Sequence, residues 1–236
     1  MLGPLWAIGH PLFLMGIYVI VFTYIFAMRT GGSSYDFPLD YPTYILSGLI
    51  PWMAFQESMN RGSLAVLENS DLVKQVVFPL EILPLKGLSS ALLMQGVATL
   101  FLIVYVVVKF YYLPITYVLL PLLFLVQFMA MTGISYILAS VGAFVRDLKD
   151  IVQVFCVACF YCIPVLYFPN WMPSWIQKVL MLNPFSYMVW CYQDACFYGR
   201  IEHPWAWPIF FGLSFLVFYV GHEIFQRLKP LFGNVL

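Results

Sequence analysis

The chain holds few residues that could do bond chemistry, and their spacing argues against most of it. Cys156, Cys159 and Cys162 form a C-x₂-C-x₂-C run, a spacing found among iron–sulfur ligands. The fourth ligand and the Cys-Pro pair of that pattern are missing, and the run lies in an apolar stretch. These cysteines read as small, polarisable core residues. Cys191 and Cys196 stand on one side of the membrane in the topology derived below, where a disulfide is conceivable, but their five-residue spacing suits a helix poorly. His10, His203 and His222 are scattered, so spacing alone assembles no metal site. No lysine is followed by Ser or Thr, which excludes a Walker-A phosphate loop; any ATP is hydrolysed by another polypeptide. Glu57 and Arg61 are four residues apart, in the favourable order for a helical ion pair. An ionised side chain inside an apolar segment costs about 2.5–3.5 kcal/mol on insertion scales. The pair reads either as local neutralisation near an interface or as the polar lining of a conduit entrance.

The elements that must position these groups are membrane helices. Hydrophobic residues make up 63% of the chain and charged residues only 9%, against about 25% charged in globular proteins. The formal net charge is zero, which argues against a nucleic-acid partner. Residues 2–28, 87–108, 110–145 and 151–177 contain no Asp, Glu, Lys or Arg, and roughly 20 helical residues span a bilayer core. Runs such as Ile103 to Val108 do not alternate in polarity, which excludes β-barrel strands. The N-terminal run is too long for a signal peptide, and lacks a basic leader and a cleavage site; it reads as a retained first crossing.

The fold class expected is an all-α integral membrane protein of six transmembrane helices in a single domain over residues 1–236. The crossings fall at about residues 4–28, 41–64, 87–108, 115–145, 151–168 and 205–225. The stretch between the last two is rich in proline and tryptophan. There Trp171, Trp175, Val179 and Leu182 recur at helical spacing, which predicts a short interfacial or re-entrant helix. Lys and Arg set the orientation. Arg61, Lys74, Lys86, Arg146, Lys149, Arg227 and Lys229 fall on one side and Arg29, Lys109, Lys178 and Arg200 on the other. The richer side is cytoplasmic, so both termini are inside.

Aromatic residues crowd the apolar segments, Tyr18, Tyr44, Trp52, Phe55, Phe160 and Tyr161 among them. They serve as bilayer packing and anchors, or as ring faces along which sugar rings slide.

Ordered segments along nearly the whole chain resemble the ABC-2 type permeases, particularly those exporting lipid-linked polysaccharides such as O-antigen, capsule or teichoic acid. They are Tyr44-Ile-Leu-Ser-Gly-Leu-Ile-Pro-Trp52, Asn69-Ser-Asp-Leu-Val-Lys-Gln-Val-Val-Phe-Pro-Leu-Glu-Ile-Leu-Pro84, Val145-Arg-Asp-Leu-Lys-Asp150, Pro164-Val-Leu-Tyr167 and Asn183-Pro-Phe-Ser-Tyr187.

The resemblance implies a homodimer in the inner membrane, paired with two copies of a cytoplasmic ATPase that binds the ATP and Mg; this chain itself carries no cofactor and is no enzyme. It implies a coupling helix that docks on the ATPase through Asp71, Leu72, Val73, Lys74 and Gln75. It also implies an inner mouth at Glu57, Arg61, Arg146 and Asp147, and an outer gate at Trp171, Trp175, Asn183, Pro184 and Tyr187. The cargo implied is a lipid-linked glycan moving outward among membrane lipids. Alternatives are an ABC-2 exporter of a drug or small lipid, or a membrane-embedded transferase. A transferase needs a cluster of His, Asp or Glu at one membrane face, and the sequence offers none. Family members usually begin with a basic amphipathic helix; here the first crossing is expected within a few residues of Met1.

Overall fold

The computed structural model describes residues 9, 13, 15–21, 38–70, 79–145, 147–169 and 172–232. Among these residues the protein is all helix, with no strand. Helix α1 runs Tyr41–Leu64 and α2 Ile82–Phe110. A 3₁₀ turn at Ile115–Leu119 leads into α3, Leu120–Gly142. Helix α4 covers Leu148–Tyr161, α5 Ser174–Leu182 and α6 Pro184–Gln193. Helix α6 runs on into a π turn at Asp194–Tyr198, and α7 spans Ala206–Leu228.

Three of the described helical stretches are long and apolar enough to cross a membrane: Ile82–Phe110, Ile115–Gly142 and Ala206–Leu231. Most of the expected first crossing lies outside the described residues. The expected fifth crossing differs in extent. Helix α4 has 14 residues, about 21 Å at 1.5 Å per residue. It stops at Tyr161 because the chain turns through Cys162–Val165, where Pro164 breaks the helical pattern.

Helix α1 is the axis of the bundle and packs against α2, α3, α4 and α6. Seventeen of its 24 residues are buried, so it is enclosed by protein where α2 and α7 present apolar side chains outward. Asp40 starts it, accepting from the Thr43 backbone N–H at 3.3 Å. An N-cap of this kind satisfies one orphan donor of the first turn. Pro51 sits inside α1 without ending it.

The most extensive helix pair is α3 with α7, and glycines set its distance. A Cβ built on Gly221 would lie 2.2 Å from the Gly133 carbonyl oxygen, and one on Gly133 would lie 2.4 Å from that of Val217. Without a hydrophobic drive between helices in lipid, such close backbone contact is what holds two spans together.

The polar termini sort to two ends. At one end the Tyr105 hydroxyl and Lys109 Nζ each donate to Asp40 Oδ2 at 2.5 Å, joining the start of α1 to the end of α2. At the other, Lys229 Nζ and Gln226 Nε2 donate to Glu81 Oε1 at 2.7 and 3.0 Å. The bond to Lys229 holds the Glu81 carboxyl below its usual range.

Candidate translocation path and outer hairpin

The groove between residues 15–21, α1 and α4 is the best candidate for a path. It encloses about 290 Å³ and is lined by Tyr18, Trp52, Gln56, Phe160 and Tyr161 among others. Four rings and one amide give a surface with many weak apolar contacts and few strong polar ones. Trp52 is buried, and its indole N–H meets no acceptor among the described residues. The other aromatics named from sequence divide into different roles. Tyr44 is core: its hydroxyl lies 3.1 Å from both the Pro164 and Tyr167 carbonyl oxygens, bonding α1 to the turn after α4. Phe55 packs edge-on against Phe185 at 5.1 Å.

Of the residues expected at an inner mouth, Glu57 and Arg61 do pair, Nε to Oε1 at 2.5 Å, with about half of each side chain exposed. The exposure means that this pair costs little in desolvation and adds little in stability. Asp147 stands just before α4 without a capping bond from its side chain. Arg146 and the expected coupling residues Asp71, Leu72, Val73, Lys74 and Gln75 lie outside the described residues, as does Trp171.

Helices α5 and α6 form a hairpin at the Asp40 end of the bundle. Asn183 is its hinge and Pro184 the first residue of α6, where a missing N–H costs nothing. Asn183 Oδ1 accepts from the Phe185 N–H at 3.0 Å. Its Nδ2 donates to the Cys162 carbonyl at 3.1 Å, tying the hinge to the end of α4. The Tyr187 hydroxyl donates back to the Met181 carbonyl at 2.6 Å, and its ring meets Trp190 and Trp205 edge-on. Trp175 is two-thirds exposed and borders an apolar cavity of about 360 Å³ under α5, together with Tyr161 and Tyr167.

Two polar clusters were not read from the sequence. The first surrounds Asp194, whose side chain is fully buried in the π turn. Its carboxylate accepts from the His203 backbone N–H at 3.0 Å, from His203 Nδ1 at 2.8 Å and from Trp207 Nε1 at 3.1 Å. Three donors are what a buried carboxylate requires. The π turn leaves carbonyls free, and side chains before α3 supply donors: Thr116 to Ala195 at 2.7 Å and Tyr117 to Cys196 at 3.0 Å. Gly199, at φ 64°, then reverses the chain in the left-handed region.

The second cluster lies within the bundle. Gln127 Nε2 donates to the Pro51 carbonyl at 3.0 Å. Its Oε1 accepts from Gln95 Nε2 at 2.7 Å and from the Tyr192 hydroxyl at 2.5 Å. Both glutamines lie in charge-free stretches, and an amide in an apolar span was the available signal.

The five cysteines are free, with Cys156, Cys159, Cys191 and Cys196 buried. No metal-binding group of His, Cys, Asp and Glu forms among the described residues.

The described residues form a bundle of apolar helices, three stretches of which are long enough to cross a membrane, the class of a multi-pass membrane protein. The chain belongs to the ABC-2 type transporter family, whose model matches residues 1–197. It is the membrane-spanning part of such a transporter, and the ATPase is a separate polypeptide. It is 28% identical to the O-antigen export system permease protein RfbA of Klebsiella pneumoniae, over 100% of this chain and 88% of that protein. It is 29% identical to the RfbA permease protein of Myxococcus xanthus, over 99% of this chain and 87% of that protein. A more distant relative is the polysialic acid transport protein KpsM of Escherichia coli, at 21% identity over 95% and 85% of the two chains.

Proposed function

We propose that two copies of this chain form a conduit that moves a lipid-linked polysaccharide outward across the cytoplasmic membrane, driven by a separate pair of ATPase subunits. The observation that carries this reading is similarity along the full chain to permeases of O-antigen and polysialic acid export. The aromatic groove supports it physically. Ring faces offer CH–π contact to successive sugars without gripping any one unit, and the Gln56 amide offers hydrogen bonds to hydroxyls.

In this reading six helices cross the membrane in one domain, with both termini cytoplasmic. The segment containing Asp71 to Gln75 docks on the ATPase through apolar Leu72 and Val73 set among charged neighbours. Glu57, Arg61, Arg146 and Asp147 surround the inner mouth. The α5–α6 hairpin, with Trp175, Asn183, Pro184 and Tyr187, gates the exit. ATP closure of the partner subunits pushes on the 68–84 segment and spreads the helices at the dimer interface. The chain supplies a path and a two-state gate, and no bond is made or broken in it.

Deleting the gene and locating the polymer tests this. The expected result is loss of surface glycan with polymer retained in the cytoplasm; normal surface glycan in the deletion strain contradicts the reading.

A further inference from the structure

Three of the five buried polar atoms that lack a partner among the described residues lie on α6: Ser186 Oγ, Trp190 Nε1 and Gln193 Oε1. Their spacing of four and three residues puts them along one face of that helix. A re-entrant helix with unpaired polar groups on one face is held less firmly than its burial suggests, because each such group forfeits its hydration. What fixes α6 is a small number of specific ties. Asn183 holds its start to α4, and Asp194 holds its end to His203 and Trp207. Between them, Gln193 Nε2 donates to the Pro164 carbonyl at 2.7 Å, and the Tyr192 hydroxyl is the side-chain polar group that bonds α2 and α3.

The reach to α2 is the informative one. Helix α6 packs on α1 and α7, and the Tyr192 hydroxyl to Gln95 Nε2, 3.0 Å apart, is the one hydrogen bond between α6 and α2 among the described residues. Gln95 lies 13 residues after Ile82, the first residue of α2, or about 20 Å along the helix axis. Helix α2 is also the element that leaves the 71–78 segment. Gln127 completes the node, taking bonds from both Gln95 and Tyr192 through one oxygen and bonding Pro51 of α1 through its nitrogen. All three side chains are buried. Water is not at hand to replace a broken bond, so displacing one member drags the others.

We infer that Gln95, Gln127 and Tyr192 are positioning residues that set the seat of α6 and pass displacement of α2 to the outer hairpin. They touch no cargo in this scheme. The inference rests on the reading of the chain as an ATP-driven permease, and not on the identity of the cargo. Glutamines suit the role because an amide donates and accepts at once, so one side chain joins three helices without a charge inside the membrane.

The test uses the full chain reconstituted with its ATPase subunits in vesicles. Leu182 on α5 is 87% exposed, and Leu182→Cys reports hairpin movement through its rate of reaction with a membrane-impermeant maleimide. ATP is expected to change that rate about threefold or more in the parent protein. Tyr192→Phe removes a single oxygen and leaves the ring in place; Gln127→Met removes the amide at similar volume. Each is expected to abolish most of the ATP response while ATP hydrolysis stays within about twofold, and the double variant is expected to be no worse than Gln127→Met alone. A purely packing role would leave the response of Tyr192→Phe close to the parent's, because the ring and its contacts remain. An undiminished ATP response in Tyr192→Phe, or no response in the parent, overturns the inference. No glycan enters the assay, so it stands or falls separately from the deletion experiment.

Discussion

The α3–α7 pair and the α5–α6 hairpin belong to one bundle, yet they are held by different means. The pair is joined by backbone contact at Gly133 and Gly221, with apolar side chains filling the rest. The hairpin is joined by side-chain hydrogen bonds from Asn183, Tyr192, Gln193 and Asp194, and it leaves polar atoms on α6 without a partner among the described residues. Backbone packing tolerates no alternative position, because any shift either opens a void or causes a clash. Discrete hydrogen bonds can be exchanged. In the proposed mechanism the pair is the frame and the hairpin the part that moves against it.

The sharpest way to break this contrast is at the frame. Gly221→Val pushes two methyl groups into the Gly133 carbonyl. We expect a loss on the order of 3 kcal/mol or more, read as a collapsed Tm in detergent and little protein in the membrane. If Gly221→Val folds normally, the frame is not rigid. Next in size, Asp194→Ala strands three buried donors at the hairpin's far end. A cost of about 3 kcal/mol is expected, confined to the hairpin. Hydrogen exchange is expected to rise over residues 184–207 and stay low in α3. A uniform rise would erase the distinction between the two regions.

Smaller effects refine it. Asn183→Ala removes the N-cap of α6 and its tie to α4, for about 1 kcal/mol, with proteolysis of the hairpin as the readout. The smallest is at the opposite end. The Glu81 carboxyl is held low by Lys229, so this bond contributes fully above the ordinary carboxylate range and is lost as pH falls through the lowered value. Solvent screening keeps it to about 1 kcal/mol or less. Glu81→Gln is expected to lower Tm slightly at neutral pH and to flatten the acid limb of a Tm-against-pH curve, meeting the parent at low pH.

The frame was legible in the sequence and the hairpin largely was not. The expected spans near residues 87–108, 115–145 and 205–225 fall within a few residues of α2, the 115–142 stretch and α7; residues 41–64 do form helix α1, which is not among the stretches apolar enough to span. Long apolar runs with few or no charges carry that signal directly. Helix α2 begins before the expected start because Pro84 lies in its first turn, where proline is tolerated. In the proline-rich stretch, periodicity located α5 but not α6. Asn183-Pro184, read from the sequence as part of a family motif, is also an N-cap followed by proline at the first helical position. Asp194 and the two glutamines escaped notice because single polar residues have no periodicity. Their meaning comes from partners 9 to 97 residues away.

In the proposed mechanism, drive enters at one face of the membrane and the hairpin opens at the other. Impermeant maleimide labelling of Val73→Cys and Leu182→Cys in intact cells tests it most directly. The account predicts that Leu182→Cys reacts from outside while Val73→Cys reacts only after the membrane is broken. Reaction of Val73→Cys in intact cells would put the 71–75 segment beyond reach of any cytoplasmic ATPase and contradict it.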